Sequence, residues 1–111
     1  PRYTGGPSVL RCYDYRPLAS GGGGGGGKGC NAHADLGLLT LSPAPASKEQ
    51  RLAAGLLVYD VERLAWEEAE AELSPDELTL FAGEQLALLS NGIIPAVLHR
   101  VPPPPPHASR L

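Results

Sequence analysis

Three side chains in this sequence could hold a metal ion between them. His33 and Asp35 lie in the run CNAHADLGLLTL (30–41), two positions apart in a stretch that otherwise has the pattern of an apolar strand. Residues two apart on a strand share a face, so the imidazole and the carboxylate are expected to point the same way. His99 lies far along the chain in IPAVLHRV (94–101), a second strand pattern with Val97, His99 and Val101 on one face. Two imidazoles and one carboxylate can occupy one triangular face of an octahedral metal and leave three positions open. That donor set suits ferrous iron and dioxygen chemistry. An isolated His-x-Asp also arises by chance, and a strand histidine can equally be a satisfied core or surface residue. The residues alone leave both readings open.

The elements that must position these groups are short and heavily punctuated. SVLRCYDYRPL (8–18) alternates as a strand, with Val9, Arg11, Tyr13 and Tyr15 on one face. A Gly-rich segment (20–29) follows, with glycines 21 to 27 unbroken, and is expected to be a flexible loop. It lacks the spaced GKS/T or GxGxxG context of a phosphate-cradling turn. SPAPASKEQR (42–51) is expected as a polar, proline-broken loop, and GLLVYDV (55–61) as a strand. Residues 63–73 have helix-like composition, with Pro75 as the stop, and periodicity leaves helix open over 48–73. ELTLFAG (77–83) predicts a short strand, and Asn91-Gly92 a turn. Five prolines (102–106) form a stiff extended connector. Short strands between Gly/Pro loops predict an all-β core, a sandwich or jelly roll, with short helices possible.

Bulk properties exclude several classes. The formal net charge of -3 gives no basic footprint for nucleic acid, and no apolar run is long enough for a membrane span. The acidic residues of EEAEAELSPDE (67–77) are expected to form a solvated face. Cys12 and Cys30 make neither a CxxC nor a disulfide framework, so a reducing, cytoplasmic setting is the expectation. The start at Pro1, the absence of methionine and the end at Leu111 lead us to expect part of a longer protein, in which residues 1–111 form part of a single domain.

Several segments, taken in order, resemble the isopenicillin N synthase-like 2-oxoglutarate/Fe(II) dioxygenases. CNAHADLGLLTL resembles that family's H-T/A-D-x-G-L-L-T-L, and LLVYDVERLAW its G-L-Q-V…W segment. FAGEQLALLSNGIIPAVLHRV is similar to its G-D/E-x-L-x-x-x-S-N-G…H-R-V block, and LRCYDYRP to its L-R-x-x-x-Y-P segment. The resemblance implies a double-stranded β-helix (jelly roll), incomplete here, with iron at its mouth. It places His33, Asp35 and His99 on the three Fe(II) ligand positions. It implies that Tyr15 contacts the 2-oxoglutarate cosubstrate, that Tyr13 neighbours it where asparagine is frequent, and that Arg110 grips the distal carboxylate in a bidentate fork. Arg110 lies slightly further after His99 than the family spacing, and the serine that usually follows two positions later would be residue 112.

The resemblance therefore implies a dioxygenase that takes a small organic substrate and dioxygen. It would hydroxylate or desaturate that substrate while 2-oxoglutarate becomes succinate and CO2, with no nucleic acid or membrane involved. The alternative is a non-catalytic jelly-roll binding or scaffolding module that retains the metal site. The 111-residue piece alone is expected to turn over weakly or not at all. Of the other candidates, His107 is expected as an exposed loop residue, Arg100 as structural, and Trp66 and Phe81 as packing residues.

Overall fold

The computed structural model describes residues 29–103. The expected strand over 8–18, most of the glycine tract, Tyr13, Tyr15, prolines 104–106, His107 and Arg110 lie outside the described residues. Six strands and two short helices follow in order: β1 (Cys30–His33), β2 (Leu39–Pro43), α1 (Lys48–Ala54), β3 (Leu57–Asp60), β4 (Ala65–Glu68), β5 (Leu78–Ala82), α2 (Glu84–Leu89) and β6 (His99–Val101). They form two antiparallel sheets, one of four strands in the order β1-β6-β3-β4 and one of two strands, β2-β5. This β-rich architecture with short helices matches the expected all-β core and fits part of a jelly roll.

Several local expectations need correction. CNAHADLGLLTL is not one strand: β1 belongs to the larger sheet and β2 to the smaller, and the chain bends between them at residues 36–38. SPAPASKEQR contains the start of a helix. Ser47 adopts an extended N-cap conformation and its hydroxyl accepts the Gln50 N–H, which nucleates α1. Residues 63–73 are not helical. Tyr59 and Trp66 pair across β3 and β4, and the Asp60 carboxylate accepts the N–H groups of Glu62 and Arg63 to close the hairpin loop. The expected strand 94–101 shrinks to β6, although His99 and Val101 are buried on its inner face as the alternation requires.

The acidic stretch also departs from its expected role. Glu70 is fully buried, and its carboxylate accepts the Leu56 N–H at 2.8 Å. Because Ala69 N–H donates to the Leu56 carbonyl, Glu70 caps the end of the β3–β4 ladder with a side chain. The remaining acids of that run are wholly or partly exposed.

A small core joins the sheets. Leu56 and Val101 from the larger sheet region and Phe81 from the smaller form one buried cluster, flanked by Cys30, Val58, Ala69 and Val97. The outer face of the smaller sheet is apolar but open, with Leu39, Leu41, Leu78 and Leu80 exposed. Arg100 lies on the outer face of β6 with its guanidinium 4.2 Å from the Trp66 ring, the structural role expected of it. Among the described residues, no helix is long and apolar enough to cross a membrane.

Candidate metal centre

The larger sheet places the two histidines through a break in its regular pairing. Cys30 pairs with Val101 and His33 with His99, so Asn31 and Ala32 together oppose Arg100. One extra residue in β1 constitutes a bulge, and bulges re-aim side chains. Without it Ala32 would oppose His99, and His33 would face the other side of the sheet. With it, His33 and His99 sit side by side, ring centroids 4.4 Å apart. His99 is buried and His33 is exposed at the mouth.

Both rings carry the same tautomer. His33 Nδ1 lies 2.8 Å from the Asn31 carbonyl, and His99 Nδ1 lies 3.0 Å from the Val97 carbonyl. A carbonyl oxygen can only accept, so each Nδ1 carries a proton, and in a neutral imidazole that leaves the lone pair on Nε2. In both cases the acceptor is the carbonyl two residues earlier, so the ring orientation is fixed by the histidine's own local backbone.

Asp35 arrives by a different route. It lies beyond the end of β1, so its alignment with His33 does not come from strand alternation. The chain at this point leaves one sheet for the other, and α2 takes up its backbone carbonyls. Glu84 N–H donates to the Asp35 carbonyl at 2.7 Å, and Gln85 N–H to the Gly37 carbonyl at 3.2 Å. These N–H groups belong to the first turn of α2, where no intrahelical acceptor exists. The approach depends on Gly83, where a Cβ would fall 2.3 Å from the Gly37 carbonyl oxygen and 2.6 Å from that of Asp35.

The result is a convergence on one carboxylate oxygen. Asp35 Oδ1 lies 3.4 Å from His33 Nε2 and 3.9 Å from His99 Nε2. Asp35 Oδ2 accepts the Thr40 hydroxyl. Phe81, opposite Thr40 in the β2–β5 register, packs its ring on His99 with centroids 4.7 Å apart. One donor atom from each of His33, Asp35 and His99 lies within 4.8 Å of the others.

A model of the 2OG-Fe(II) oxygenase superfamily matches residues 7–111. The chain belongs to that superfamily. No curated protein and no solved structure matches it. The superfamily implies Fe(II) and 2-oxoglutarate, and the donor set fits the ion. Two Nε2 atoms and a carboxylate oxygen facing one another offer a cation three ligand atoms when the imidazoles are neutral. Nitrogen and oxygen ligands at about 2.0–2.2 Å from an ion stand roughly 3 Å apart at right angles, so the observed separations need modest closure around ferrous iron.

Of the expected site residues, His33, Asp35 and His99 are brought together, while Arg110, Tyr15 and Tyr13 lie outside the described residues. Sequence reasoning did not single out Thr40 or Gly83. Both stand inside the quoted 2OG-Fe(II) oxygenase motifs, in the T of LLTL and the G of FAGE, but neither has a residue type that announces metal chemistry.

Proposed function

We propose that this chain is the iron- and cosubstrate-binding part of an isopenicillin N synthase-like, 2-oxoglutarate-dependent dioxygenase. The proposed reaction is hydroxylation or desaturation of a small organic substrate, with 2-oxoglutarate converted to succinate and CO2. The carrying observation is the convergence of two Nε2 lone pairs, tautomers fixed from behind, on a single oxygen of Asp35.

On this reading His33, Asp35 and His99 hold Fe(II) by one face. The bound ion, with 2-oxoglutarate and dioxygen, supplies the oxidising power. The chain's own contribution is positional. The Asn31 and Val97 carbonyls hold both rings, and α2 holds the Asp35 backbone. Phe81 shields the inner side of His99 from water. Arg110 would pair with the distal carboxylate of 2-oxoglutarate, with Tyr15 and Tyr13 as further cosubstrate contacts, on the strength of the motifs. Residues 1–111 are then part of one oxygenase domain.

The test is succinate formation from 2-oxoglutarate in the presence of Fe(II), ascorbate and dioxygen, for the complete domain of which residues 1–111 are read as part and for its His99→Ala variant. The reading expects iron-dependent succinate production, even without substrate as slow uncoupled turnover, and its loss in the variant. A folded protein that binds iron yet yields no succinate, with or without a panel of small organic acids and phenolics, would remove the enzyme reading.

A further inference from the structure

A carboxylate ligand has two oxygens, and how many it gives the metal decides how many positions stay open. We propose that Thr40 is a positioning residue that keeps Asp35 a one-oxygen ligand. This rests on the reading of His33, Asp35 and His99 as the iron site.

The two oxygens of Asp35 have different surroundings. Oδ1 faces both Nε2 atoms, at 3.4 and 3.9 Å, while Oδ2 accepts the Thr40 hydroxyl. Thr40 stands on β2, in the smaller sheet, and its backbone is held opposite Phe81. Its hydroxyl therefore reaches Asp35 from a support independent of the sheet that carries the histidines. The carboxylate is part-buried, and its backbone is fixed by the Glu84 N–H at 2.7 Å. With the backbone held, rotation about the two side-chain bonds is the freedom left to it, and the last of them decides which oxygens face the ion. A hydrogen bond to Oδ2 removes that freedom. Without it the carboxylate can turn and present both oxygens to the ion, occupying a position that cosubstrate or dioxygen requires.

The experiment uses Co(II) as a spectroscopic stand-in for Fe(II), titrated into the metal-free protein and into Thr40→Val, Thr40→Ala, Thr40→Ser and Asp35→Ala. Two alkyl variants guard against a folding failure in one of them, and melting of the metal-free forms checks that each is folded. The expected result is a changed visible d–d band in Thr40→Val and Thr40→Ala, as the second oxygen enters the coordination of Co(II), with Co(II) affinity shifted from that of the parent. Thr40→Ser should restore both affinity and band. 2-Oxoglutarate, titrated against the Co(II) forms, should bind more weakly in the alkyl variants than in the serine variant.

A purely structural role for Thr40 would lower the melting temperature and leave affinity and band unchanged in the folded variants, which overturns the inference. If the parent protein binds Co(II), Asp35→Ala does not, and the alkyl variants match the parent, the inference falls and the iron site stands. If the parent binds no Co(II), both fall together.

Discussion

The two sheets contribute to the site in opposite ways. The four-stranded sheet carries both histidines, and it sets them by register. Once β1 and β6 pair with one bulge, His33 and His99 are neighbours, and each ring is fixed by the carbonyl two residues before it. Among the described residues the two-stranded sheet carries none of the three candidate ligands. It supplies Thr40 and Phe81, which hold the Asp35 carboxyl and pack against His99. A ladder can place a side chain by counting residues, but a residue in the turn between ladders must be held from outside. The carboxylate is therefore the corner of the site most sensitive to its surroundings.

That contrast is open to attack at several points. The largest stability effect is expected at Gly83, where α2 meets the Asp35 turn. A methyl group there collides with two backbone oxygens, so Gly83→Ala should cost about 1–3 kcal/mol and weaken metal binding. Urea unfolding together with Co(II) titration reads both. If metal binding is unaffected, Asp35 is not held by α2 as described.

Glu70 tests the larger sheet without touching the site. Replacing it with alanine leaves the Leu56 N–H without its acceptor, at a cost of about 1–3 kcal/mol. Glu70→Gln keeps an acceptor and should recover part of the loss. Metal affinity of the folded variants should not change, because the histidine register is set at the β1–β6 pairing, in which Glu70 takes no part.

Smaller effects are expected at the β3–β4 hairpin. Leu64 is exposed and has a positive φ of 54°, a conformation that opposes its side chain. Leu64→Gly should stabilise the protein by about 0.5–1 kcal/mol, once the added freedom of the unfolded chain is subtracted. Thermal melting measures it, and destabilisation would contradict the loop conformation.

The smallest effect is a pH dependence at Asp60. Hydrogen bonds from the Arg63 and Glu62 N–H groups hold its carboxyl below the usual carboxylate range, with the Arg63 guanidinium adding to them. A depressed folded pKa gives stability that is present above the unfolded pKa and lost as pH falls through the folded value. The parent should therefore lose stability relative to Asp60→Asn across that acidic window and keep its full difference at neutral pH. Parallel pH profiles would show that the loop does not stabilise the charge.

The three residues of the candidate site could be named from the sequence because imidazole and carboxylate in a spaced motif are chemically conspicuous. The reason they converge could not. His33 and Asp35 were expected to share a face as residues of one strand, but Asp35 is past the end of β1, and His33 faces inward because of a bulge. Neither the bulge in CNAH nor the bend at DLGL has a residue signature strong enough to override the apolar pattern. Helix α1 falls in the stretch 48–73 where periodicity leaves helix open, but its start depends on the local Ser47 cap, which the reading of 42–51 as a proline-broken loop overlooks. Glu70 looked like every other acid in its run, and its burial follows from where the β3–β4 ladder ends. Asn91 was legible as a turn, and its role became specific in the fold. With φ 54° it ends α2, where its N–H donates to the Leu88 carbonyl and that of Gly92 to the Ala87 carbonyl.

The most direct test of the central claim is an anaerobic Fe(II) titration with 2-oxoglutarate present, followed through the weak visible charge-transfer band of the chelated cosubstrate. The same titration would be made on His33→Ala and Asp35→Ala. The account predicts a band in the parent protein and its loss in both variants. A band that persists when Asp35 is removed would contradict an iron site built from His33, Asp35 and His99, and none at all in a folded, iron-loaded parent would contradict the bound cosubstrate.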